Sequence, residues 1–211
     1  MSSALAFLMR VLILYCSWLV VGMPQYSQSA YRHGDYVAKY GVFPNTDEQL
    51  ALKETYIKDD EPINVISQYT RNFHMKNKVS YWFGAQMLQD LAEQPVDDLG
   101  VEWDERKYPF EKMATLDFEP QDSWLPEFRV WWDDRITLNS WHGLKLHQPL
   151  GSTNRMRRVV YAESRKLRLK VNGYKDYVEP ASCDEVPKGS IEPPQLELPH
   201  HSAVPSVAVA S

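Results

Sequence analysis

Only two cysteines, Cys16 and Cys183, occur in 211 residues, so the chain closes at most one intramolecular disulfide and is not a disulfide-stapled scaffold. No Asn-x-Ser/Thr sequon occurs either. Glycine is sparse at nine residues, and no Gly-x-Gly-x-x-Gly or Walker A loop is present to cradle a phosphate. Gly-x-Ser-x-Gly, His-Glu-x-x-His and Cys-x-x-Cys are absent as well. These absences remove the common signatures of nucleotide, acyl-transfer, zinc and thiol chemistry, and no cofactor is expected. An excess of positive charge is also missing. With 23 Lys and Arg against 28 Asp and Glu, the net charge of −5 argues against nucleic acid as a partner.

No uninterrupted apolar run reaches the roughly 20 residues that span a bilayer. What is present is a shorter run at the N-terminus. Residues 1–34 contain no acid, and Arg10 precedes the uncharged stretch 11–23. That length matches the apolar region of a secretory signal, and Val20 and Gly22 supply small residues for cleavage after Gly22. A cleaved signal at 1–22 with an extracellular destination is the first expectation. The alternative is an uncleaved anchor that reaches back through 4–23 with Arg10 snorkelling, including anchoring in the mitochondrial inner membrane.

The aromatic residues concentrate between 103 and 147, where five of the seven tryptophans lie. Within that stretch Phe128, Val130 and Trp132 alternate with Arg129, Trp131 and Asp133, a strand-like period. Pro126 argues against a helix running through the segment, which leaves an edge strand or extended arm. Trp124, Phe128, Trp131 and Trp132 are the candidate partner anchors, since alternation sends Trp131 and Trp132 to opposite faces.

Ahead of this stretch the pattern reads as helical. Residues 23–35 form an extended lead-in. Thr46 and Gln49 make a capping pair that starts a short helix to about 58. Ile66, Tyr69 and Phe73 share a helical face over 62–75, and Val79, Phe83, Met87, Leu88 and Leu91 share another over 78–93.

Charge is segregated along the chain. From Glu93 to Asp134, thirteen acids stand against four bases, a local net of −9. From 155 to 175 the sign reverses, and Arg155, Arg157, Arg158, Arg165, Lys166 and Arg168 join the candidate partner residues. Lys166 to Val171 alternates strictly, and Asn172-Gly173 offers a turn with positive φ, which together predict a β-hairpin. A basic helix over 155–171 is the alternative, because Met156, Val159, Val160 and Leu167 also fit one helical face.

From Pro180 onward come six of the fourteen prolines and no aromatic residue, so 181–211 reads as a disordered Pro-rich tail. The expected fold class is therefore α+β: a helical N-terminal half, an irregular or extended Trp-rich segment, a β-hairpin and the tail, with one globular domain over 36–180. The expected function is a non-catalytic structural or interaction protein. It would be an accessory subunit of a membrane-associated assembly, with a protein partner and with membrane contact through 4–23. The alternative is a secreted or luminal metal-dependent hydrolase that draws on Asp133, Asp134, His142 and His147.

Overall fold

Antiparallel strand pairing organises the chain. The computed structural model describes residues 19–55, 57, 61–62, 64–122, 124–137, 139–178, 180, 182 and 185. The apolar run up to Trp18, Cys183 and the expectation for the tail beyond Glu185 lie outside the described residues. The strands are β1 (Gln25–Tyr26), β2 (Tyr31–His33), β3 (Tyr36–Pro44), β4 (Val79–Met87) and β5 (Phe110–Phe118). They form one sheet in the order β1-β3-β4-β5, with β2 also pairing β3. Among the described residues four α-helices accompany it: α1 (Asp47–Leu50), α2 (Val65–Lys76), α3 (Pro126–Arg135) and α4 (Gly151–Asn172).

This architecture corrects the expected helical N-terminal half. The segment 78–93 is a central strand, not a helix. Val79, Tyr81 and Phe83 are β-branched or aromatic, and β4 has β3 on one side and β5 on the other. A strand covered on both faces shows a nearly continuous apolar run, and such a run satisfies helical spacing by accident. Gly84, which weakens a helix, faces Gly41 across the β3–β4 pair. The two glycines let large rings lie flat: a Cβ at Gly41 would stand 2.5 Å from the Phe43 ring, and one at Gly84 2.6 Å from the Trp82 indole. Phe43 and Trp82 stack on this face at 3.9 Å, with Tyr26 and Phe110 packed against Phe43 at 5.6 and 5.1 Å.

The lead-in also forms strands, since 25–33 supplies β1 and β2. The Thr46 cap is present, its hydroxyl accepting from the Gln49 amide at 3.2 Å. The helix it starts, α1, is only four residues long and passes into a 3-10 turn, Ala51–Glu54. Gln49 is fully buried. Its side chain accepts from the Ser80 amide at 3.1 Å and donates to the Val21 carbonyl at 3.3 Å, tying α1 to the sheet and to the N-terminal turn.

The opposite face of the sheet carries the main core. Leu19, Val21, Leu52, Ile57, Val65, Tyr69, Phe73 and Val79 form one buried cluster. The N-terminal 3-10 turn Val20–Gly22 and helix α2 thereby close over the end of β4. At the other end of β4, Gln86 donates to the Trp103 and Tyr108 carbonyls at 3.0 and 2.8 Å and clamps the 88–108 loop to the sheet. Trp103 is 2% exposed and donates its indole N–H to the Pro95 carbonyl at 3.1 Å.

Candidate functional site

The described residues expose two features that a lone domain ordinarily covers, the edge strand β5 and the helix pair α3–α4. Both are candidate interaction surfaces.

The Trp-rich segment 126–135 is helical, which corrects the extended arm expected there. Pro126 occupies the first turn of α3, where its missing N–H costs nothing. The period-two alternation of Phe128 and Trp132 is also an i,i+4 spacing, and their rings stack at 6.0 Å with Trp131 alongside at 6.4 Å. Arg129 lies 4.7 Å from the Trp124 ring. Trp124 and Trp132 remain 40% and 43% exposed. Ahead of α3, Arg71 of α2 grips the buried carboxylate of Asp122, which also accepts from the Trp124 amide at 3.0 Å. Burial raises the Asp122 carboxyl, but the Arg71 and Trp124 hydrogen bonds outweigh it and hold the group below its ordinary value.

The basic stretch is the helix α4, so the expected hairpin does not form. Gly173 does adopt positive φ, at 72°, but as the residue that ends the helix, and the Tyr174 amide closes back onto the Leu169 carbonyl at 3.0 Å. Asn154 seats the N-terminal end, donating to the Leu150 and Ala30 carbonyls at 2.8 and 3.3 Å, while Trp141 donates to the Asn154 carbonyl at 2.9 Å. Asp97 accepts from the Ser152 amide at 2.5 Å, and this bond holds its carboxyl below the ordinary range. At the far end Arg168 donates to the Asp133 carbonyl at 2.9 Å and Asn172 to the Asp134 carboxylate at 2.9 Å, joining α4 to α3.

The fold therefore brings Trp131 and Trp132 close to Arg168, and leaves Arg155, Arg157 and Arg158 at the opposite end of α4. Arg155 lies 3.7 Å from Asp97, and Arg157 binds Gln28 and Ser29. Arg158 lies over Trp141, Arg165 over Tyr177, and Lys166 pairs Glu163 at 2.7 Å. Of the seven cations on α4, only Arg155 reaches an acid of the 93–134 segment among the described residues.

Asp133, Asp134, His142 and His147 are not drawn into one group. Asp133 pairs with Arg129 at 3.6 Å, and His147 stacks on His33 at 5.9 Å. Among the described residues no set of three or more His, Cys, Asp or Glu is placed to hold a metal. Two open clefts of about 190 and 420 Å³ flank Trp141, and their ionisable lining is Lys145, His147, Arg155 and Arg158.

The second surface was missed in the sequence. Among the described residues β5 pairs with β4 alone, and all its residues after Phe110 are exposed. Met113, Leu116 and Phe118 are 49%, 40% and 41% exposed. The stretch Phe-Glu-Lys-Met-Ala-Thr-Leu-Asp-Phe is a recognisable strand, but it lies inside an acidic, proline-punctuated segment that reads as loop.

No protein-family model and no curated protein matches the sequence. Solved structures do match. A fungal catalase superposes with a TM-score of 0.53 at 14% identity, over 74% of this chain and 32% of the catalase chain. Catalase A from Saccharomyces cerevisiae gives a TM-score of 0.47 at 14% identity, over 72% of this chain and 33% of its own. The chain thus spans about a third of the length of these catalases, and what it shares with the fungal catalase is the fold of that portion.

Proposed function

We propose that the chain is a non-catalytic interaction protein, an accessory subunit of a membrane-associated assembly whose protein partner adds a strand along β5. The observation that carries this reading is the open edge of β5. An unpaired edge presents a row of backbone donors and acceptors, which natural sheets ordinarily shorten, charge or cover. A register shift opposite Phe83 and Gly84 blunts its first half, but from Ala114 to Phe118 the pairing with β4 is regular. Exposed Leu116 and Phe118 offer apolar contacts beside that row, the arrangement that strand addition uses.

Retention of the N-terminal segment is favoured over cleavage after Gly22. Leu19 and Val21 are 0% and 2% exposed within the core, and a chain beginning at Met23 lacks both. The membrane link therefore falls to the apolar run preceding Leu19. Among the described residues no helix is long and apolar enough to cross a membrane.

The test is purification of the full-length chain from its source cells in mild detergent, beside the double variant Met113→Lys, Leu116→Lys. Both side chains are exposed, so the variant should fold. The wild type is expected to co-migrate with a stoichiometric protein partner and the variant to lose it. Monomeric behaviour of both would overturn the proposal.

A further inference from the structure

The outward face of α4 carries an exposed apolar stripe bordered by cations. At 3.6 residues per turn, Met156, Val160, Leu167 and Val171 fall within an arc of about 60°. They are 60%, 51%, 63% and 73% exposed. The buried Asn154 and the half-buried Arg165 and Leu169 lie on the opposite side, where the helix meets the domain. The stripe is thus a real outer face of a seated helix. Cations border it on both sides, with Lys166 and Lys170 along one flank and Arg157 and Arg168 along the other.

The helix has seven Lys and Arg against Glu163, a net of +6 in a chain whose total is −5. Five of those cations, Arg157, Arg158, Arg165, Arg168 and Lys170, form no ion pair among the described residues. Among the described residues the acidic 93–134 segment therefore pairs with only one of the seven cations, Arg155. Glu163, the one acid of the helix itself, is paired by Lys166 at 2.7 Å. The half-exposed Trp132 adjoins the Asp133 carbonyl that Arg168 holds, and tryptophan favours the boundary between headgroups and acyl chains.

We propose that α4 lies on an anionic membrane surface, with its apolar stripe at the headgroup boundary and its flanking cations on lipid phosphates and carboxylates. An exposed apolar stripe between rows of Lys and Arg, on a helix of low overall hydrophobicity, is the pattern of helices that lie in the interface plane. The inference rests on the membrane-associated reading above and supplies a second point of attachment, since a single apolar anchor leaves the orientation of the domain at the surface undefined. Charge complementarity selects lipid of net negative charge over zwitterionic lipid.

The experiment compares sedimentation of the full chain with pure phosphatidylcholine vesicles and with mixed phosphatidylserine–phosphatidylcholine vesicles. The triple variant Lys166→Gln, Arg168→Gln, Lys170→Gln, which removes cations that border the stripe, is run beside it, with circular dichroism to confirm that it folds. Each cation near an anionic leaflet is worth roughly a fivefold factor in partitioning, so the variant should bind phosphatidylserine vesicles on the order of 100-fold more weakly. Added salt should weaken the wild type in the same direction. A second variant, Leu167→Asn with Val171→Asn, keeps every charge and should also lose binding. Equal binding to both vesicle types, or equal binding by wild type and triple variant, overturns the proposal and leaves the N-terminal run as the only contact. No binding at all also overturns it and assigns the stripe to an acidic protein surface. No protein partner is present in the assay, so these failures are separate from failure of the β5 reading.

Discussion

Removing residues 1–22 should cost the domain much of its stability, because the 3-10 turn Val20–Gly22 packs into the core. Leu19 is 0% exposed and Val21 2%, both packed in the cluster with Leu52, Tyr69, Phe73 and Val79. Full burial is worth about 2–3 kcal/mol for the leucine and about 1.5–2 kcal/mol for the valine. Loss of the Val21 carbonyl also strands the buried Gln49 amide, which donates to it at 3.3 Å, for about 1 kcal/mol more. The sum is about 5 kcal/mol, a large share of the roughly 5–15 kcal/mol that holds a typical domain. For a domain of this size each kcal/mol moves the midpoint about 2–4 °C, so a chain beginning at Met23 should melt about 10–20 °C below one beginning at Trp18. Near-ultraviolet circular dichroism of the two chains is the assay. Midpoints within about 2 °C of each other would show that Leu19 and Val21 are not core residues, and would restore cleavage after Gly22 as a compatible event.

Other consequences are as specific. Gln86→Ala removes two hydrogen bonds to the 88–108 loop and should cost about 2–4 kcal/mol in urea unfolding; a change below about 0.5 kcal/mol would mean that the loop is held otherwise. Trp132→Ala should cost only about 1–2 kcal/mol, less than the roughly 3–5 of a core tryptophan, because the side chain is 43% exposed. Asp122 titrates below its ordinary value of 3.8 when folded, so between the two values the unfolded chain binds more protons. The stability it supplies is present above the unfolded value and is lost as pH falls through the folded one. Asp122→Asn should therefore cost about 1.5–3 kcal/mol at neutral pH and flatten the acid limb of a pH–stability curve; an unchanged acid limb would refute the assignment.

Several features were legible in the sequence, and the errors have physical reasons. The Thr46 cap was readable because capping depends on side chains three residues apart. The strand β4 was not, because Val79, Phe83 and Met87 suit either period when both faces are covered, and only β3 and β5 on its flanks decide the matter. At α4 the Asn172-Gly173 pair identified a residue with positive φ correctly but not its role. A hairpin turn and a helix terminus both demand it, so a Gly173 substitution does not separate the two. For α3, Pro126 works against an interior helical position yet favours a first one, and the choice turns on where the helix begins. The candidate anchors Trp131 and Trp132 and the basic residues of α4 were readable as types. That the helix turns its apolar stripe outward was not, because periodicity defines a face without saying which way it points.

Hydrogen–deuterium exchange of the β5 amides, compared between the isolated chain and the detergent-solubilised native assembly, reports whether a partner strand lies on β5. Among the described residues the edge strand pairs with β4 alone, so its outward amides should exchange rapidly in the isolated chain and become protected in the assembly. Protection over 110–118 is the predicted result. An exchange pattern for those residues that is the same in both states would contradict a partner strand on β5 and, with it, the proposed role of this chain.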